Sequence, residues 1–405
     1  MALTDTPRSN RLHIAFYGRR NAGKSSLINL VTGQQTALVS EHAGTTTDPV
    51  IKSMELLPLG PIAVIDTAGL DDEGDLGELR IGRSKEMMDR TDLAVLVIAA
   101  DTAGDTARER EWLAELRARK TAVIGALNKT DKLTAEEAEA LRAKLEAELG
   151  VPFAAVSAND KTCRAALLSA IVKHAPSDFE APALTGDLYE PGAKIVLVAP
   201  QDIQAPKGRL ILPQVQVIRD ILDNGGSAFV CTADRFEETL AALKEPPALV
   251  ITDSQVFARV NAALPREVPL TSFSIIMARA KGELSVFIEG AKAIEKLGPH
   301  DKVLIAEACT HAPLNEDIGR EKLPRWLRTK AGQTLSVDIC AGPDFPKNLS
   351  DYALILHCGG CMFTRKQLMS RIIEAREANV PITNYGVAIA QLNGILDRVT
   401  EVFRK

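Results

Sequence analysis

The chain has 405 residues, carries a formal net charge of −5 and is 46% hydrophobic. That length accommodates two or three domains with well-filled cores, and the acidic balance argues against a dominant nucleic-acid surface, which needs a concentrated basic footprint. The longest apolar run, 93–100, is too short to span a bilayer; residues 1–11 lack an apolar signal core, and six cysteines in a chain expected in the cytoplasm do not read as a disulfide framework.

Residues 11–174 alternate short apolar runs with helical patterns, predicting an α/β fold with a doubly wound, mostly parallel sheet. The first run, 12–17, leads into GRRNAGKS at 18–25 and then a helix-like stretch from Ser26. A strand, a GxxxxGK[ST] loop and a helix in that order form a phosphate cradle: loop and helix N–H groups point at the anion. Gly18 and Gly23 shape the loop, Lys24 reaches the β- and γ-phosphates, and Ser25 holds Mg²⁺, with Ser26 following in the cradle.

The segment Gly44 to Asp48 reads GTTTD, and Glu41 to Asp48 is expected to be the first switch. One threonine there ligates Mg²⁺ when GTP is bound; Thr46 is favoured, with Thr45 the neighbouring possibility. Asp66, at the end of the run 62–65, opens the sequence DTAG: its carboxylate is placed to hold Mg²⁺ through water, and the Gly69 N–H senses the γ-phosphate. Leu70 to Arg83 is expected to be the second switch. After the run 122–127 comes NKTD. Asp131 can accept two hydrogen bonds from guanine, which adenine cannot donate; Asn128 bonds the other edge of the base, and the Lys129 stem packs on its face. Ser157 and Ala158 close the pocket. Together these motifs predict a GTPase that converts GTP to GDP and phosphate.

Leu70 stands where Ras-like proteins carry a water-orienting glutamine. With Asn21 in the phosphate loop and GTTTD in the first switch, this module resembles the potassium-activated GTPases of the tRNA-modification and Era group. The resemblance implies that Asn21 helps hold K⁺; otherwise Asn21 is a turn residue tolerating an unusual φ.

A linker at 175–192, with Pro176, Pro182 and Pro191, precedes a small α/β region at 193–268 with strands near 194–199, 227–232 and 248–252 and an amphipathic helix ending at Leu222. Residues 269–405 open with a strand-like run at 270–274 and then read as one long helix, 275–297. Strands near 302–306, 334–339 and 352–357 alternate with helices in a third, βαβ-type unit. A basic run, Arg320 to Lys330 around Trp326, is either a solvated helix face or a docking patch for an acidic partner.

The third unit contains Cys309 and His311, then His357, Cys358 and Cys361, each group directly after an apolar strand. Ligands of open α/β sheets sit beyond the carboxyl ends of strands, so the two groups can meet at one sheet edge. Three cysteines with nearby histidines suit either a Cys₃His zinc site or a [4Fe–4S] cluster with one exchangeable position. The fourth ligand stays open, with His311, His357 or a linker carboxylate such as Asp187 or Glu190 as possibilities. Cys163, Cys231 and Cys340 read as small apolar residues.

The whole chain resembles the HydF family, the [FeFe]-hydrogenase maturation GTPases. The resemblance is carried by GRRNAGKS, by PKGRLILPQVQ at 206–216 and by the CxH…HCxxC pattern. It implies a [4Fe–4S] cluster on Cys309, Cys358 and Cys361, with His311 and His357 as weak ligands or neighbours. It also implies a homodimer formed through the middle domain, a transient di-iron subcluster precursor, and two kinds of partner: radical-SAM maturases and the apo-hydrogenase. The expected organisation is a GTPase domain at 1–174, a linker at 175–192, a dimerisation domain at 193–268 and a cluster domain at 269–405, with no nucleic-acid or membrane partner. A competing reading is a regulatory GTPase stabilised by zinc; a third is an RNA-modification or ribosome-assembly GTPase.

Overall fold

A computed structural model describes residues 8–33, 50–67, 86–176, 183–199, 210–308, 317–342 and 344–404. Both expected switches, Thr45, Thr46, Gly69, Leu70, Cys309 and His311 lie outside the described residues. The chain divides into two compact units, 1–180 and 181–405.

The first unit is built on β1 (Leu12–Tyr17), α1 (Lys24–Thr32), β2 (Val50–Leu56), β3 (Gly60–Asp66), β4 (Leu93–Ala99), α2 (Ala107–Ala118), β5 (Ala122–Asn128), α3 (Ala135–Leu149), β6 (Phe153–Ala155) and α4 (Cys163–His174). The strand order is β2-β3-β1-β4-β5-β6. Only β2 runs antiparallel. The inner strands are nearly continuous apolar runs because helices cover both faces of a parallel sheet. Accordingly Ile14, Phe16, Val64 and Val95 pack on one face, and Ala15, Tyr17, Ile65 and Leu96 on the other. The one-residue alternation between the two sets is the period of a strand. The capping box of Thr134 and Glu137 starts α3, each side chain satisfying the other residue's N–H.

The second unit holds two parallel four-stranded sheets. The first contains β7 (Lys194–Val198), α5 (Leu212–Asp223), β8 (Ser227–Cys231), α6 (Phe236–Ala242), β9 (Leu249–Thr252), α7 (Phe257–Ala263) and β10 (Leu270–Ser272), in the order β10-β9-β7-β8. The second follows α8 (Phe273–Lys281) and α9 (Leu284–Ala291). It contains β11 (Lys302–Glu307), α10 (Leu323–Ala331), β12 (Ser336–Ala341), β13 (Leu354–His357), α11 (Arg365–Glu377), β14 (Ile382–Asn384), α12 (Tyr385–Leu392) and α13 (Leu396–Thr400), in the order β12-β11-β13-β14. One apolar core runs through both sheets, including Val196, Val250 and Phe257 with Val303, Leu354 and Val387. Arg398 ties α13 to the end of α7 by donating to Asn261, Leu264 and Pro265.

The long helix expected over 275–297 is broken. α8 stops at Lys281, the chain turns at Gly282, and α9 begins at Leu284. A Cβ at residue 282 would stand 2.5 Å from the Phe287 ring and 3.0 Å from the Ala278 carbonyl oxygen. The turn needs glycine because Phe287 folds back onto it and is fully buried. Gly290 has a similar reason: a Cβ there would stand 2.0 Å from the Ile382 carbonyl oxygen, so α9 packs against β14 backbone to backbone.

Four cations of the basic run are engaged within the fold, while Arg325 is exposed. Arg320 pairs with buried Glu307, Lys322 donates to Gln255, Arg328 to the Leu335 carbonyl, and Lys330 pairs with Glu295.

Candidate functional site

The phosphate loop lies between β1 and α1, at the carboxyl end of the first sheet. Its shape follows from three positions. A Cβ at residue 18 would stand 2.4 Å from the Val97 carbonyl oxygen, and one at residue 23 would stand 2.1 Å from Asn128 Nδ2. Asn21 is exposed at the loop tip with φ 60°, a left-handed conformation that asparagine tolerates better than most residues. Lys24 is buried and lies across the loop, its Nζ donating to the carbonyls of Gly18 at 2.8 Å and Arg19 at 3.0 Å.

Ser25 Oγ donates to Asp66 Oδ2 at 2.5 Å, bringing together the two side chains expected to serve Mg²⁺. Burial pushes the Asp66 carboxyl up, against the Ser25 bond and the charges of Lys24 and Lys52. Ser26 follows in the first turn of α1. Arg19, which the motifs did not single out, anchors the loop: its guanidinium donates to both oxygens of buried Glu109 on α2, at 2.8 and 2.9 Å. It also donates to the Asp105 carbonyl at 2.7 Å.

The base-pocket residues converge on the same edge. Asn128 is buried; its Nδ2 donates to the Ala22 carbonyl at 2.8 Å, and its Oδ1 accepts from the Ala158 N–H at 3.1 Å. One amide thus links the phosphate loop to the segment after β6. Asp131 Oδ1 accepts from Ser157 Oγ at 2.6 Å, which holds its carboxyl below the usual range. Lys129 has φ 62° and pairs with Asp101 at 3.1 Å. The structure therefore brings together Gly18 to Ser26, Asp66, Asn128 to Asp131, Ser157 and Ala158.

In the second unit, β11 and β13 are neighbours with Ala306 opposite His357. The chain leaving β13 is Cys358-Gly359-Gly360-Cys361. The Cys358 N–H donates to the Ala306 carbonyl at 2.9 Å, and the Ala308 N–H donates to Cys358 Sγ at 3.0 Å. Gly360, with φ 62°, turns the loop back, and the Phe363 N–H closes it on the Gly360 carbonyl at 2.9 Å. Cys358 and Cys361 are half-buried. Burial pushes the Cys361 thiol up, opposed by the Lys281 charge.

Lys281, at the end of α8, is buried, and its Nζ donates to the carbonyls of Gly360, Cys361 and Phe363 at 3.3, 3.2 and 2.7 Å. Burial pulls its ammonium down to about 8, opposed by the Cys361 and Cys358 thiols. Nothing in the sequence marks Lys281, whose partners lie about eighty residues away.

His357 is fully buried. Its Nε2 faces Arg371 Nη1 at 3.0 Å, and its Nδ1 faces the Cys358 carbonyl at 2.8 Å. A guanidinium only donates, so the network assigns Nε2 as acceptor and Nδ1 as donor to Cys358. Burial first, then the Arg371 charge, hold this imidazole neutral, with its pKa lowered to about 3. Both ring nitrogens are thus engaged within the protein. Arg371 also donates to the Gly342 carbonyl at 2.6 Å and stacks on the rings of Phe345 and Phe363.

Among the described residues no group of three or more His, Cys, Asp or Glu side chains is placed to hold a metal ion. Of the three cysteines expected to act together, Cys358 and Cys361 share one loop, and Cys309 lies outside the described residues. In the linker, Asp187 is engaged with Arg279. Cys163, Cys231 and Cys340 are half-buried.

Comparison with known proteins follows the same division. Residues 13–129 match the family model of the 50S ribosome-binding GTPases, residues 184–282 that of the hydrogen maturase F dimerization domain, and residues 285–402 that of the hydrogen maturase F tetramerization domain. GTPase Der of Kosmotoga olearia is 33% identical over 145 residues, which are 35% of this chain and 32% of that protein. The tRNA modification GTPase MnmE of Azoarcus sp. is 37% identical over 161 residues, 37% of this chain and 35% of that one. The chain thus spans about a third of the length of the curated relatives it matches. Among solved structures, Aquifex aeolicus Era bound to GDP and aluminium fluoride gives a TM-score of 0.38 at 17% identity, covering 57% of this chain and 98% of that one. The G domain of the T. maritima iron transporter FeoB gives 0.31 at 24% identity, covering 41% and 99%. Two successive hydrogen maturase F segments behind a GTPase segment account for most of the chain, which belongs to the hydrogen maturase F family.

Proposed function

We propose that this GTPase is a scaffold and carrier for hydrogenase active-site assembly. It binds a [4Fe–4S] cluster, receives a di-iron subcluster precursor made with radical-SAM maturases, and delivers it to apo-[FeFe]-hydrogenase. The observation that carries this reading is the Cys358–Cys361 loop at the carboxyl end of β13, in a chain of the hydrogen maturase F family. The donor set suits such a cluster: two thiols of one tight loop, a backbone N–H aimed at one sulfur, and a buried ammonium beneath. Cys358, Cys361 and Cys309 would hold it, with His311 as a weak ligand or neighbour and His357 steadying the loop through the Cys358 carbonyl. When bound, it supplies an iron site at which a cyanide-bearing di-iron unit can be held.

In the nucleotide site, Lys24 supplies positive charge to the β- and γ-phosphates. Ser25, Asp66 and Thr46 or Thr45 hold Mg²⁺, the Gly69 N–H senses the γ-phosphate, and Asp131 selects guanine. Asn21 helps hold K⁺, which accelerates hydrolysis. The switches relay the nucleotide state and govern exchange of partners.

The chain works as a homodimer through its middle segment. The match to a dimerization domain supports this, as does β8, an outer strand of its sheet with Phe229 and Val230 exposed. The functional divisions are 1–174, a linker ending near 183, a middle segment over 184–282 and a cluster segment from 285; the boundary expected at 268 moves because β10 pairs with β9 in the sheet of the middle segment. The protein acts in the cytoplasm, without a nucleic-acid or membrane partner; no helix among the described residues is long and apolar enough to cross a membrane.

The test is EPR of anaerobically reconstituted, dithionite-reduced protein beside its Cys358→Ala variant. A reduced [4Fe–4S] signal that the variant loses, with GTP turnover spared, is the expected result. Stoichiometric zinc and no iron–sulfur signal would overturn the scaffold reading in favour of a zinc-stabilised regulatory GTPase.

A further inference from the structure

We propose that Lys281 is a positioning residue of the cysteine site, one that clamps the Cys358–Cys361 loop and raises the reduction potential of the cluster held there. The inference rests on the reading of that loop as a cluster site. A lysine at a helix end ordinarily runs its stem along the surface and keeps its ammonium in water. Lys281 does not: it is 6% exposed, and its Nζ is directed at three carbonyls within one four-residue stretch, Gly360, Cys361 and Phe363. An ammonium has three donors, and these carbonyls use all three.

The other half of the clasp explains why the charge is free for that task. The last carbonyls of a helix normally draw on a nearby cation. Here Arg365, at the start of α11, supplies it by donating to the carbonyls of Ala280 and Gly282 at 3.2 and 2.9 Å. Each segment therefore lends the other a cation, Arg365 to the end of α8 and Lys281 to the cysteine loop. The break at Gly282 makes this possible, since it ends α8 at Lys281 and leaves the carbonyls of Ala280 and Gly282 to Arg365.

The electrostatic consequence has a definite sign. Adding an electron to a thiolate-bound cluster adds negative charge, and a buried cation beside the thiolates favours the more negative state. Net charge and hydrogen bonding near the sulfurs are among the determinants of such potentials.

The experiment is an EPR-monitored redox titration of full-length reconstituted protein with Lys281→Gln, which keeps N–H donors without charge, and Lys281→Arg, which keeps the charge. A cluster must first be present in the unmodified protein; its absence would refute the site reading rather than this inference. The expected result is at least a tenfold change in the reduction equilibrium in Lys281→Gln, a midpoint lower by about 59 mV for one electron, with Lys281→Arg close to the unmodified protein. A midpoint unmoved in Lys281→Gln, or moved equally in both variants, would overturn the proposal. If Lys281→Gln retains no iron, occupancy becomes the readout: iron kept by Lys281→Arg supports the role of charge, and iron lost from both overturns it.

Discussion

Replacing Arg371 with methionine tests how much the second unit depends on the buried arrangement behind the cysteine loop. Arg371 is 4% exposed. It makes two well-placed charge-assisted bonds, to His357 Nε2 at 3.0 Å and to the Gly342 carbonyl at 2.6 Å, and lies over two aromatic rings. Each such bond contributes about 1.5–3 kcal/mol, and each desolvated ring contact about 2 kcal/mol. Against this, removing a buried guanidinium recovers part of its desolvation cost, and methionine refills much of the volume. The net expectation is a loss of about 3 kcal/mol, within the range for breaking one side of a buried charged contact. The two tryptophans make the assay specific, since Trp112 lies in the first unit and Trp326 packs on the core of the second. In a Trp112→Phe background, urea unfolding followed by fluorescence reports the second unit alone. With a urea m-value of about 3 kcal/mol/M, the midpoint should fall by about 1 M. A fall under about 0.3 M would refute the reasoning, because it would mean that His357 and Gly342 find other donors at little cost.

Two further predictions concern the nucleotide site. Asp131→Asn should weaken GTP use by roughly 100-fold, since the amide keeps one accepting oxygen but turns a donor toward the second guanine N–H and so loses one charged hydrogen bond, and shift preference toward XTP. Competition between GTP and XTP in a phosphate-release assay checks this, and an unchanged preference would remove Asp131 from base selection. Replacing K⁺ with Na⁺ should slow turnover severalfold. Asn21→Gly should abolish that ion dependence while preserving the left-handed backbone at φ 60°; a variant that still responds to K⁺ would leave Asn21 as a turn residue only.

What was legible in the chain depended on how far apart the cooperating residues lie. The phosphate loop could be read directly because its chemistry is done by consecutive backbone N–H groups and by Lys24 and Ser25 beside them. The inner strands were legible for a similar local reason, since residues buried on both faces of a parallel sheet must be apolar one after another, whereas β2, antiparallel and partly exposed, and the three-residue β14 were not read as strands. Lys281 was not legible. Its meaning comes from carbonyls of a loop about eighty residues later, and in sequence it is one more lysine at the polar end of an apolar helix. The same cause explains the basic run, where Arg320 and Lys330 are consumed by Glu307 and Glu295 across the fold. It also explains the broken helix. The apolar positions after 275 carry a helical period whether or not the chain bends at Gly282, and the decision to bend belongs to Phe287, which packs back over the glycine. A motif search therefore finds the atoms that would touch a nucleotide or a metal but not the buried charges that set their environment. In this chain those charges, Lys281 in front of the cysteine loop and Arg371 behind His357, enclose the segment on which the cluster reading rests.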